Sequence, residues 1–214
     1  PAGDWGNKVE NALRQRWESL GGTIASTSTY GTYDDYSSSV TSALSLDASE
    51  QRARDLRATV GSNIEFTPRR RQDPDVVFLL SRNGTEARSI RPLLAFHYAG
   101  DLPAYAISSI YNGVPDERNQ DLNGIQLVEM PWLLGADHGL REALAAGDAD
   151  SGNYTRLNAL GADAYLVQAN FLRLQSGADA LMRGNTGLLT LDPTLSIRRQ
   201  LSPATFDAGA LKAQ

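Results

Sequence analysis

A chain of 214 residues with a formal net charge of -5 and a pI near 5.0 has room for one sizeable core or two small lobes. Its acidity argues against a general polyanion binder, which needs a net positive surface, so no nucleic-acid partner is expected. It contains no cysteine, which excludes disulfides, a thiolate nucleophile and a Cys-ligated metal, and suits either cytosol or periplasm. Its apolar runs reach only about five residues against the roughly 20 that cross a bilayer, which predicts a soluble chain, and from Pro1 on there is no charged n-region or apolar h-region, so any targeting signal is expected to be absent or removed.

Asp4 stands as a cap before Trp5, Val9, Leu13, Trp17 and Leu20, a helical spacing that Gly21 and Gly22 close. Residues 23 to 29 are small and β-branched and predict a strand; residues 36 to 44 predict a short helix behind Asp34 and Asp35. "LDASEQRARDLRATVG" places Asp47 three residues before Glu50, a capping-box spacing, and predicts a third helix ending at Gly61. The apolar run at 75 to 81 reads as a strand covered on both faces of a parallel sheet. A helix capped by Thr85 follows to about Tyr98, bent near Pro92, and then a strand at 103 to 107. This alternation implies right-handed βαβ crossovers. Further along, a strand at 124 to 130, helices at about 137 to 146 and 154 to 176, and two short strands around Asp192 and Pro193 complete the reading.

Chemistry is thinly represented. The two histidines, His97 and His138, lie far apart with no second ligand at helical spacing, and neither a phosphate loop nor a nucleophile elbow occurs. The acid pairs Asp34/Asp35 and Asp148/Asp150 lack a companion base and read as caps. No catalytic residue, cofactor or metal is expected. Tyr30, Tyr33, Tyr36, Tyr105 and Tyr111 follow strands, where α/β sheets gather ligands, or else pack as core edges. Trp132 in "EMPWLL" either seals the sheet or anchors a partner. The three arginines of "FTPRRRQDPDVVFLLS", Arg69, Arg70 and Arg71, are expected to pair chiefly with Glu65, Asp73 or Asp75 and to leave one guanidinium exposed for a partner carboxylate.

Six segments, "DWGNKVENALRQRWESLGG", "FTPRRRQDPDVVFLLS", "LLAFHYAGDLPAYAISSIYNG", "DLNGIQLVEMPWLL", "RLNALGADAY" and "GNTGLLTLD", in this order resemble the C-terminal domain of the LppC family, the LpoA-type activators of a penicillin-binding protein. The resemblance implies an α/β fold of the type I periplasmic-binding-protein kind and an outer-membrane lipoprotein facing the periplasm. Its implied partner is a bifunctional penicillin-binding protein of the 1A class. It further implies that a lipidated cysteine and a helical-repeat domain precede this stretch in the family. The membrane is then reached only through that anchor. On this reading residues 4 to 106 and 184 to 207 form one complete parallel-sheet lobe, and 107 to 183 are a remnant of the other. The strand at 124 to 130 would belong to a sheet whose other strands precede Asp4, leaving the remnant uncovered and open to self-association. The rival reading is a solute-binding module with Ser108, Ser109, Tyr111 and Asn112 in its cleft.

Overall fold

The structure is a computed structural model and describes residues 1–61, 65–135, 138–145, 154–176 and 180–214. The first helix, α1 (Asp4–Ser19), begins one residue ahead of expectation. Gly3 takes the N-cap place without a side chain to cap with, so the Asp4 carboxylate acts as first-turn charge on the positive helix end. Beyond α1 the chain must pass under Trp17. A Cβ on Gly22 would lie 2.2 Å from the indole nitrogen, so only glycine fits there.

Residues 22–30 form no regular element and join no ladder, which corrects the strand expected at 23 to 29. Side chains take up this segment instead. The Trp17 indole donates to the Thr23 carbonyl at 3.3 Å, Arg71 donates to the Ala25 carbonyl at 2.8 Å, and Ser26 donates to the Ala43 carbonyl at 2.8 Å. The first two bonds occupy carbonyls that a ladder would use, and the third ties the segment to Ala43, the last residue of the next helix. Among the described residues the amides of Ile24 to Thr29 have no backbone partner. Hydrogen exchange at these amides is therefore expected to run orders of magnitude faster than in the central strands. Equal protection in both places would show that the segment pairs after all.

Helices α2 (Tyr36–Ala43) and α3 (Leu46–Val60) follow. The capping box expected at Asp47 is not used, because α3 starts at Leu46 behind Ser45, whose φ of 56° is left-handed. Gly61 closes the helix at φ 67°, as its position predicts. Strand β1 (Val77–Leu79), helix α4 (Gly84–Phe96) and strand β2 (Ala104–Ala106) then form the expected parallel unit. Asn83, not Thr85, caps α4 by accepting from the Glu86 amide at 3.0 Å. Pro92 lies inside the helix without ending it.

Strand β3 (Gln126–Glu129) pairs parallel with β2 on one side and antiparallel with β7 (Ser202–Asp207) on the other. The hairpin to β8 (Ala210–Ala213) completes a five-stranded sheet in the order β1-β2-β3-β7-β8. The sheet is therefore mixed, not all parallel. The placement of β3 in a separate, uncovered sheet is corrected as well: both of its edges find backbone partners inside this chain. Its neighbours Ile125, Leu127, Met130, Trp132 and Leu133 are buried with Leu79, Ile90, Leu94 and Phe206 in one core.

The expected helix at 137 to 146 is α5 (His138–Ala145), its outer ends lying outside the described residues. The helix expected at 154 to 176 divides into α6 (Thr155–Ala169) and α7 (Phe171–Gln175). The break is at Asn170, whose side-chain amide donates to the Leu166 carbonyl at 2.9 Å and competes with the backbone. Strands β4 (Met182–Arg183), β5 (Leu188–Leu191) and β6 (Ile197–Gln200) make a second, antiparallel sheet. Leu174, Met182 and Leu189 form its small core with Leu166 and Val167. The two sheets thus do not divide at the expected boundaries, since β3 from 107 to 183 joins the larger sheet and β5 and β6 from 184 to 207 form the smaller one.

Candidate partner-binding surface

The arginine triplet lies just before β1, and its three side chains have three different fates. Arg71 forms an ion pair with Asp73 at 2.5 Å, which holds that carboxyl below the usual carboxylate range. Arg70 is nearly buried, its side chain 9% exposed, and reaches across 31 residues to Asp101 at 2.9 Å and to the Tyr98 carbonyl at 2.8 Å. Asp101 was not among the acids expected, because the βαβ turn that delivers it is not written in the local sequence. Arg69 is exposed. Only its backbone amide makes a described hydrogen bond, to the Ser49 hydroxyl at 3.3 Å.

At the other end of β1 and β2 the supposed cleft residues are spent on the fold. Ser109 donates to the Ser81 carbonyl at 2.5 Å, and Asn112 accepts from the Val114 amide at 3.1 Å. Tyr111 is buried edge-on against Phe206, with ring centroids 5.9 Å apart, and burial pushes its hydroxyl up. A cavity of about 290 Å³ touches Asn83, Thr85, Arg88, Ser109 and Asn112. Its polar groups bond one another, with Arg88 donating to Asn119 at 2.9 Å and to Thr85 at 3.1 Å. A solute site needs convergent groups left free for the ligand. That observation disfavours the solute-binding reading.

The Ser108 carbonyl is a hub that the sequence did not signal. It accepts from Arg156 on α6 at 2.9 Å, as does the Tyr111 carbonyl at 3.0 Å, and the same guanidinium bonds the Glu129 carboxylate. Glu129 is 1% exposed, and burial pushes its carboxyl up despite the opposing Arg156 charge. On the smaller body, Asp163 plays a comparable structural part. It accepts from the Asn185 and Thr186 amides at 2.6 and 2.7 Å and from the Thr186 hydroxyl at 2.6 Å.

Trp132 is 2% exposed and packed in the main core, so it seals the fold and offers no surface anchor. Tyr30 and Tyr36 are buried and pack edge-on, with Tyr33 exposed beside them. Tyr30 also donates to Glu86 at 2.9 Å. Asp35 does not cap α2 with its side chain as expected; it reaches back to accept from the Gly31 and Thr32 amides at 3.0 and 2.9 Å, closing a capping box with Thr32 over the short turn before α2. Asp148 and Asp150 lie outside the described residues. A wider space, about 890 Å³, opens between α1, residues 22–30 and β1. Among the charged groups in its lining, Glu10 is paired with Arg14 at 2.6 Å and Arg71 with Asp73 at 2.5 Å. Among the exposed large apolar side chains are Phe96 and Tyr98 at the end of α4 and Leu157, Leu160, Tyr165 and Leu172 on α6 and α7.

Comparison with known proteins agrees with this architecture. The solved structure "LpoA (YraM) C-domain from Haemophilus influenzae, a regulator of PBP1A" superposes on the whole chain with a TM-score of 0.65 at 22% identity, and the chain covers 59% of it. A "putative branched-chain amino acid ABC transporter" from Rhodospirillum rubrum superposes on the whole chain with a TM-score of 0.57 at 18% identity, the chain covering 58% of it. These likenesses show a fold of the periplasmic-binding-protein kind. In sequence, the "Penicillin-binding protein activator LpoA" of Vibrio vulnificus is 27% identical over 94% of the chain, and that of Vibrio antiquarius is 27% identical over 99%. The chain spans about a third of the length of these relatives, 34% and 35%. The model of the family described as "LppC putative lipoprotein" matches residues 1–209, so the chain belongs to the LppC family.

Proposed function

We propose that this chain is part of a non-catalytic regulator of peptidoglycan synthesis, which binds and stimulates a bifunctional penicillin-binding protein of the 1A class. The observation that carries the reading is the family match over residues 1–209, taken with relatives named as penicillin-binding protein activators. The spent polar groups around Ser109 and Asn112 support a docking protein over a solute binder. No helix among the described residues is long and apolar enough to cross a membrane. In the proposal the protein works in the periplasm, held to the outer membrane by a lipid anchor outside these residues. It also includes contact between copies of the chain through the outer face of α6 and α7.

The full-length protein, immobilised and washed with detergent-solubilised cell-wall synthases from its own bacterium, should retain the 1A-class enzyme and raise its rate of glycan-strand polymerisation. Retention of no synthase, or retention without any rate change, would remove the proposal.

A further inference from the structure

We infer that the C-terminal end of α4, with Arg69 beside it, is the surface that docks on the synthase, and that it receives a protein segment pairing a carboxylate with an apolar or aromatic side chain. This inference rests on the proposed regulatory function and names the place where it is exercised. The last turn of α4 presents Pro92, Ala95 and Phe96 to solvent, and Tyr98 follows after the half-buried cap residue His97. Phe96 is 75% exposed and Tyr98 66% exposed. Burying two aromatic rings at the centre of an interface is a common source of hot-spot energy, whereas exposing both brings the fold nothing.

Tyr98 also stands where its backbone is unfavourable. The turn that closes α4 runs the Ala99 amide back to the Leu94 carbonyl at 2.8 Å and the Tyr98 amide to the Ala95 carbonyl at 3.1 Å. Such a turn puts its first residue past the cap in the left-handed region, where glycine is the usual occupant. Here Tyr98 sits at φ 59°. A bulky residue kept at a costly position, with its ring in water, points to a use for the ring.

The charge around the rings is complementary to an acid. Arg70 clasps the Tyr98 carbonyl and Asp101 from one side, and Arg91 donates to the Gly100 carbonyl at 3.4 Å from the other. Arg70 thus pairs with Asp101 and Arg91 bonds the neighbouring Gly100 carbonyl, while Arg69, next to Arg70 in the chain, is exposed, all on a protein whose net charge is -5. Arg91 keeps one buried guanidinium nitrogen, and His97 one buried ring nitrogen, without a hydrogen-bond partner among the described residues. Part of this positive charge suits the negative end of α4. Arg69 lies outside that helix and is left free to make a bidentate contact. The patch lies at the opposite end of α4 from Pro1, which neighbours Arg82 and Glu86. The protein's acidity weighs against an anionic lipid surface as the occupant.

The test uses the full-length protein and the purified 1A-class synthase in a surface-binding assay. The double variant Phe96→Ser/Tyr98→Gly should bind about tenfold more weakly or worse, while its melting temperature stays level or rises, since glycine is at home at φ 59°. Arg69→Glu should slow association several-fold and flatten its salt dependence. Double-variant binding within about twofold of the parent, with the parent binding well, overturns this inference alone. A parent that does not bind the synthase at all removes the regulatory reading together with it. Loss of binding to anionic vesicles by the double variant, with synthase binding intact, would assign the patch to a membrane and overturn the inference.

Discussion

Replacing Arg156 with methionine should destabilise the fold by roughly 2 to 3 kcal/mol at neutral pH, because it leaves the buried Glu129 carboxylate alone, less than for a fully buried pair since the Arg156 side chain is 36% exposed. Arg156 is the charged tie between α6 and the main sheet. It binds the Glu129 carboxylate and the Ser108 and Tyr111 carbonyls at once. Without it Glu129, 1% exposed, keeps the hydrogen bond from the Met130 amide at 2.8 Å and faces Arg199 at longer range. The loss should depend on pH in a defined direction. Burial already raises the Glu129 carboxyl above its unfolded value, so its favourable contribution is present below the unfolded carboxylate range and is lost as pH rises through the folded value. Removing Arg156 enlarges that shift. The variant's deficit should therefore be greatest at neutral pH and shrink as the medium is acidified toward the ordinary carboxylate range. Urea titrations of parent and variant at two pH values measure this directly, and Arg156→Met/Glu129→Gln should recover much of the neutral-pH loss. A deficit that is the same at both pH values would mean that Arg156 matters through its carbonyl contacts and its packing, not its charge.

What the sequence made legible is whatever rests on short-range periodicity. The 3.6-residue spacing of Trp5, Val9, Leu13 and Trp17 and the apolar run at 75 to 81 each correspond to an observed element, α1 and β1. Arg71 and Asp73 are two residues apart, and their pairing was readable for the same reason. Pairings that depend on how the crossovers close were not. Arg70 meets Asp101 only because β1 and β2 lie side by side, and Glu129 meets Arg156 only because α6 turns back over the end of β3. Strand β8 escaped notice because "ALKA" carries no β-branched residue. Its turn uses Ala208 and Gly209, both at positive φ, in place of the stronger Asn-Gly signal. The segment at 23 to 29 misled in the opposite direction. Its composition favours a strand, but its serines and threonines bond side chains and distant carbonyls instead.

At tens of micromolar these 214 residues should associate through the outer face of α6 and α7. The sequence offers two grounds for this, an open strand edge and an apolar helix face, and only the second is found in the fold. Strand β3 is not an open edge, since β2 and β7 pair with both of its sides. The helix face is a different matter. Leu174 is buried and Val167 half-buried against the small sheet, but Leu157 is 60% exposed, Leu160 53%, Tyr165 74% and Leu172 82%. Leu157, Leu160, Gly161, Ala164 and Tyr165 recur at three and four residues, and all are exposed. They make one continuous stripe along α6, with small residues at its middle that let a second helix approach closely. Each large apolar side chain buried there is worth about 1.5 to 3 kcal/mol, and three or four of them can offset part of the entropy cost of pairing two chains. A twofold contact of this kind sets each stripe against its own copy, so one substitution counts twice. Light scattering should show a concentration-dependent dimer, and Leu157→Ser/Leu160→Ser/Leu172→Ser should be monomeric with its thermal unfolding unchanged. A parent chain that stays monomeric through that concentration range would show that α6 tolerates its exposed stripe, and that association needs a surface other than this one.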